Sequence, residues 1–242
     1  GGIMDTLEHQ AQSLPAPTAD RPLLGLTVLV IEDSRFACEA MRLLCLRSGA
    51  RIRRADSLRA ARRHLQVYRP SIVIADLGLP DGNGIDLIAE LAQSQPRVDA
   101  LLAISGETHL AADALAAGAD RFMSKPLQSL SQFQQVVLAA LPQHHRPLGL
   151  SVLADETITP DTIALQDDMA HMDDVLSGPC TPQTLEYVAQ FLTGVARSAR
   201  DAALEQAATA LAARSTLGLP AIEEQRVIRS VLRQRLMRQI AI

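Results

Sequence analysis

Across its first 142 residues the chain alternates short aliphatic runs with stretches whose apolar residues recur at helical spacing. Residues 27–31, a short stretch around Ile52, 72–75, 99–104 and 121–124 read as five strands, most of them apolar enough to be buried on both faces. Between them lie helical patterns. Ser34 opens one that Gly49 stops, and Ser57 opens a basic one to about Tyr68. Others cover 84–95, 109–117 with Gly118 as its stop, and 127–141. Strict alternation of strand and helix implies a parallel sheet covered on both faces with right-handed crossovers. The third strand runs into Asp76 and then a loop rich in Gly and Pro, which places Asp76 at the rim of the sheet.

Proline and polar residues cluster after Leu141, and from Pro160 the pattern is wholly helical. One helix is expected near 161–176. A second starts at Thr181 with Pro182 in its first turn and is expected to run to about Arg214, and a third follows Pro220 to about Met237. The division expected is a loose arm over 1–22 with a short helix near 6–14, an α/β domain over 23–142, a linker over 143–159 with a short extended piece at 150–153, and an all-α domain over 160–242. Leu185, Val188, Leu192, Val195, Ala199 and Ala202 form one apolar stripe on the second of the C-terminal helices. Three alanine-rich helices make a thin core alone, so a homodimer through these helices is expected.

Composition narrows the classes. Of 242 residues 48% are apolar and only 2% aromatic, so the core must be aliphatic. Cys38, Cys45 and Cys180 show no metal spacing and read as reduced thiols. No apolar run reaches membrane-spanning length and no signal-peptide core is visible, which points to a cytoplasmic protein without a membrane partner. The net charge of −4 gives no general affinity for nucleic acid. The segment 147–242 carries 8 Arg and no Lys against 12 acidic residues, a poor general DNA binder. The arginines at 226, 229, 233, 235 and 238 on the last helix are a local exception, and they keep a DNA-binding output as the less favoured alternative. The basic run at 51–64 reads as a solvated face.

The chemistry collects at the carboxyl ends of the strands: Glu32 and Asp33, Asp76, Ser105 and Lys125. Three carboxylates in one cleft repel one another unless a cation joins them, and a small set of hard oxygen ligands suits Mg²⁺. A hydroxyl and an ammonium from two further strands would bind phosphoryl oxygens, and a carboxylate can act as a nucleophile and become an acyl phosphate.

The acidic pair, the sequence Asp76-Leu-Gly-Leu-Pro-Asp-Gly-Asn-Gly84, Ser105 before Gly106, and the run from Gly118 to Lys125-Pro126 occur in order, each at a strand end. This constellation resembles the receiver domain of two-component response regulators over roughly residues 24–142. The resemblance implies a doubly wound, flavodoxin-like five-stranded α/β fold. It implies that Asp76 is the phosphoacceptor and that Glu32, Asp33, Asp76 and the backbone carbonyl of Gly78 hold Mg²⁺. Ser105 matches the switch hydroxyl, Lys125 the phosphate-contacting lysine and Phe122 the switch aromatic, for which a plain core role is the equal alternative. The resemblance also implies a cis Lys125–Pro126 bond and, as partner, a sensor histidine kinase or phosphotransfer protein. It makes the residues two beyond Asp76 and two beyond Ser105, here Gly78 and Glu107, the ones that govern attack by water. Since Gly78 has no side chain to orient a water, a long-lived phosphorylated state is expected, with Glu107 as the residue that could partly supply that role. The receiver would catalyse its own phosphorylation and dephosphorylation, with no separate enzymatic output expected. His171 offers a less favoured phosphorelay output, because acidic residues flank it on both sides and would repel an incoming phosphoryl group.

Overall fold

A computed structural model describes residues 16–147 and 156–238. The expected helix at 6–14 and the extended piece at 150–153 lie outside the described residues.

Five parallel strands, β1 (Thr27–Ile31), β2 (Arg51–Ala55), β3 (Ile72–Asp76), β6 (Ala100–Ser105) and β7 (Arg121–Ser124), make one sheet in the order β2-β1-β3-β6-β7. The order turns back at β1 and β3, so the cleft outside their carboxyl ends is the natural ligand position. Alternate residues of each central strand serve opposite faces. Val28, Val30, Ile72, Ile74 and Leu102 join α1 (Arg35–Ser48) and α5 (Leu130–Ala140). Leu29, Ile31, Val73, Leu101 and Ala103 join α2 (Leu58–Val67), α3 (Gly84–Gln93) and α4 (Ala111–Ala117). Cys38 and Cys45 are buried free thiols on α1.

The helix signals in the sequence act as expected at several ends. The Ser34 hydroxyl accepts from the Ala37 N–H, and Gly49 closes α1 with φ 88°. Ser57 caps α2, which Asp81 supports by accepting from the Leu58 and Arg59 N–H groups at 2.8 and 2.9 Å. Asp81 thereby ties the loop after β3, which folds as a small hairpin of β4 (Gly78–Leu79) and β5 (Gly82–Asn83), to α2. α5 starts later than expected, at Leu130, because Ser129 is its cap. The Lys125–Pro126 bond is cis, as is Gln95–Pro96.

Four helices follow: α6 (Thr162–Ser177), α7 (Pro182–Ala199), α8 (Ala202–Thr216) and α9 (Ile222–Met237). The single long helix expected from Thr181 to Arg214 is two. Arg200 adopts φ 55° and closes α7, and Asp201 caps α8 by accepting from the Leu204 N–H. The chain then folds back, so Val188, Leu192 and Val195 of α7 pack against Leu204, Ala208 and Leu211 of α8 in one core with Met172, Ile228 and Leu232. The apolar stripe read as a continuous surface is therefore an internal seam. Asp201 also holds α9, accepting from Arg235 at 2.7 and 3.0 Å.

The helical region contacts the α/β domain directly. Residues entering α6 pair with the start of α5, Leu130 N–H donating to the Glu156 carbonyl and Ile158 N–H to that of Gln128, each at 2.8 Å. Ile158 enters the sheet's core. α6 then lies along α1. Among the described residues no helix is long and apolar enough to cross a membrane.

Candidate functional site

β1 and β3 end side by side, so Glu32, Asp33 and Asp76 converge, and carboxylate oxygens of the three lie within 4.8 Å of one another. Lys125, following β7, reaches across: its Nζ is 2.5 Å from Glu32 Oε2 and 3.3 Å from Asp76 Oδ1. Its backbone is fixed by a 2.9 Å hydrogen bond from its N–H to the Ser105 carbonyl. Ser105 closes β6 in the same pocket, buried, with its hydroxyl accepting from the Glu107 N–H at 3.0 Å. Gly78 borders the pocket, and its backbone N–H favours the ionised Asp76 carboxylate against the effect of burial. Gly84 closes the loop so tightly that a Cβ there would stand 2.2 Å from the Asp76 carbonyl oxygen, which only glycine permits.

The electrostatics follow from crowding. Burial, then the charges of Glu32 and Asp76, push Asp33 up to about 8. Burial and Glu32 likewise raise Asp76, with Lys125 opposing. Burial alone would lower Lys125, but the carboxylates of Asp76 and Glu32 override it and hold the ammonium firmly charged. One buried oxygen, Asp33 Oδ1, has no hydrogen-bond partner among the described residues. A buried unpaired carboxylate oxygen facing two more carboxylates fits a divalent cation, and the acidic cluster is consistent with a metal site.

The sequence expectation thus brings together Glu32, Asp33, Asp76, Gly78, Ser105 and Lys125. Phe122 does not line the pocket. It is half-buried and packs with the apolar cluster on the α3–α4 face. Asp76 ends β3 at the edge of the sheet, and only 7% of it is exposed. The cover comes from the C-terminal helices, and these contacts escaped sequence reasoning. Asp168 of α6 accepts from the Ser34 hydroxyl at 2.7 Å and from the Arg35 and Phe36 N–H groups at 2.8 and 3.0 Å, occupying the N-terminus of α1. Burial raises the Asp168 carboxyl, while these three hydrogen bonds hold it down. Tyr187 of α7 donates its hydroxyl proton to Asp33 Oδ2, and burial followed by the Asp33 charge raises the phenol. Gln190 and Arg197 of the same helix also line the pocket, Arg197 donating to the Gly106 carbonyl at 3.0 Å. His171 is exposed on α6, outside the pocket.

Residues 28–137 match the model of the response regulator receiver domain family. The chain is similar to the KDP operon transcriptional regulatory protein KdpE of Escherichia coli K12, 36% identical over 118 residues, which are 48% of this chain and 52% of that one. It is also similar to the virulence transcriptional regulatory protein PhoP of Salmonella typhimurium, 31% identical over 102 residues, covering 42% of this chain and 46% of that one. To the chemotaxis protein CheY of Thermotoga maritima it is 28% identical over 107 residues, 43% of this chain and 89% of that one. The chain spans about half the length of the first two relatives. A parallel sheet of this order, an acidic cluster beside a lysine at its switch point and the family match agree: residues 28–137 are a response regulator receiver domain, homologous to those of two-component response regulators.

Proposed function

We propose that the protein is a phosphorylation-activated response regulator in which Asp76 accepts a phosphoryl group from a sensor histidine kinase or a phosphotransfer protein. Asp76 is the nucleophile, Lys125 neutralises charge on the phosphoryl oxygens, and Ser105 donates to one of them. Glu32, Asp33, Asp76 and the Gly78 carbonyl would hold Mg²⁺, which when bound supplies charge neutralisation for the transfer. Residues 23–142 act as the receiver and 160–242 as the output, joined through 143–159.

The observation that carries this reading is that α6 and α7 rest directly on the acidic pocket, through Asp168 on the N-terminus of α1 and Tyr187 on Asp33. A phosphoryl group and its cation need the oxygens that Tyr187 engages. Phosphorylation therefore competes with the docked arrangement and shifts the helical domain. The output favoured is protein interaction, including pairing of two copies. Leu217, Ile222 and Met237 of the helical region are 71%, 71% and 69% exposed and offer apolar surface for it. The names of the first two relatives make DNA binding the alternative. Against it, Arg226, Arg229, Arg233 and Arg235 are each paired with a carboxylate of the same helical region.

The test is Mg²⁺-dependent labelling with a radioactive acyl phosphate donor. Wild type takes up label that alkali releases, and Asp76→Asn takes up none. Equal labelling of the two would refute the assignment. Light scattering with and without the donor then reads the oligomeric output.

A further inference from the structure

α7 crosses the mouth of the pocket with Gln190, Gly194 and Arg197 on its inner side, one turn apart. The Gln190 amide fills the space that a side chain on Gly78 would take, and Gly106 lies within ordinary contact of Gly194. A Cβ on Gly78 would lie 2.6 Å from Gln190 Nε2 and 2.9 Å from its Oε1, and one on Gly106 would lie 4.0 Å from the Gly194 Cα. The helix is anchored on both sides of Gln190. Tyr187 bonds Asp33 one turn before it, and Arg197, itself held by Glu205 at 2.9 Å, bonds the Gly106 carbonyl two turns after it. The Gln190 amide itself has no hydrogen-bond partner among the described residues. The anchored helix thus holds an unused donor–acceptor pair against Gly78, the residue two beyond Asp76.

We propose that Gln190 positions the water that hydrolyses the phosphoryl group on Asp76, so that the helical domain gives the receiver it covers a built-in phosphatase function. This rests on Asp76 being the phosphoacceptor. The amide carbonyl accepts a hydrogen bond from the attacking water and the amide NH₂ donates to a phosphoryl oxygen, a pairing that a neutral amide makes without repelling the anion. The water oxygen bonds to phosphorus and the bond between phosphorus and the Asp76 carboxylate oxygen breaks. The electron pair returns to the carboxylate beside Lys125, and the water's proton leaves on inorganic phosphate. Neither other neighbour serves this role. Gly78 has no side chain, and the Glu107 carboxylate is 3.5 Å from His109 and would repel a phosphoryl group. Hydrolysis then occurs when α7 lies over the phosphorylated pocket with Tyr187 released from Asp33 and Arg197 still on the Gly106 carbonyl, and full displacement of α7 protects the phosphoryl group. The lifetime of the signal is set by the output domain, contrary to the long life that Gly78 by itself suggests.

The experiment uses the full chain, labelled by an acyl phosphate donor with Mg²⁺, freed of donor, and followed for phosphate release. Gln190→Met keeps the bulk of the side chain and loses the amide, and Gln190→Ala loses both. The expected result is label on Asp76 of both variants at or above the wild-type extent, with hydrolysis after donor removal about ten- to a hundredfold slower. A merely space-filling role would leave the Met variant like wild type, so hydrolysis within about twofold of wild type in labelled Gln190→Met overturns the proposal. If the wild type itself takes no label, the phosphoacceptor reading falls, and this one with it.

Discussion

Ser34 and Asp168, 134 positions apart in the chain, meet at 2.7 Å where α1 begins. The serine hydroxyl donates to the aspartate while accepting from the Ala37 N–H, so a cap written locally in α1 is also the seat of a carboxylate from α6. The receiver and the helical region share this helix end.

Replacing Asp168 by Ala strands the Arg35 and Phe36 N–H groups and releases α6. Stability in urea is expected to fall by about 2 kcal/mol. Because α6 holds α7 over the pocket, Asp76 should also take label from a small donor severalfold faster. A variant with unchanged stability and unchanged labelling would show that the contact has no weight.

Tyr187 engages Asp33, one of the three carboxylates that would hold a cation, so the proposed Mg²⁺ would compete with it. Tyr187→Phe keeps the ring against Phe191 and removes the hydroxyl donor. Mg²⁺ affinity, read by calorimetry, is expected to rise roughly tenfold, the worth of one hydrogen bond to a charged acceptor. Equal or weaker binding would mean that the hydroxyl does not oppose the metal.

The pocket also predicts a pH dependence. Asp33 sits at about 8 in the folded protein against an ordinary value of 3.8. Between these values the folded, metal-free protein holds more protons than the unfolded chain. Its stability contribution is therefore full at low pH and declines as pH rises toward about 8. On the proposed reading Mg²⁺ would bind the ionised carboxylates and reverse the penalty. The melting temperature gained from about 10 mM Mg²⁺ should be larger by several degrees at pH 8 than at pH 6. Asp33→Asn should abolish most of the gain, and equal gains at both pH values in wild type would contradict the account.

The receiver was legible in the sequence because its information is local. A run such as Ile72–Ala75 can be buried on both faces only as a central strand, and a carboxylate at its end must then emerge at the sheet's edge beside Glu32, Asp33, Ser105 and Lys125. Ser34, Ser57, Gly49 and Gly118 mark helix ends by their own hydrogen bonding or backbone freedom. Where such a signal is absent the reading failed. Arg200 takes the left-handed conformation that glycine normally marks, so the break between α7 and α8 was hidden in an unbroken helical pattern.

Tertiary structure alone decided what lies over Asp76. Asp168 belongs to an acidic run on α6, Tyr187 to a polar edge of α7, and Gln190 and Arg197 to its next turns. None carries a spacing that sets it apart from a solvated face. Their partners are backbone groups at the N-terminus of α1, a carboxylate at the end of β1 and two glycines in the strand-end loops. Such pairings depend on the orientation of one body on another. Docking energy summed over a surface fixes that orientation, and no local pattern along the chain encodes it.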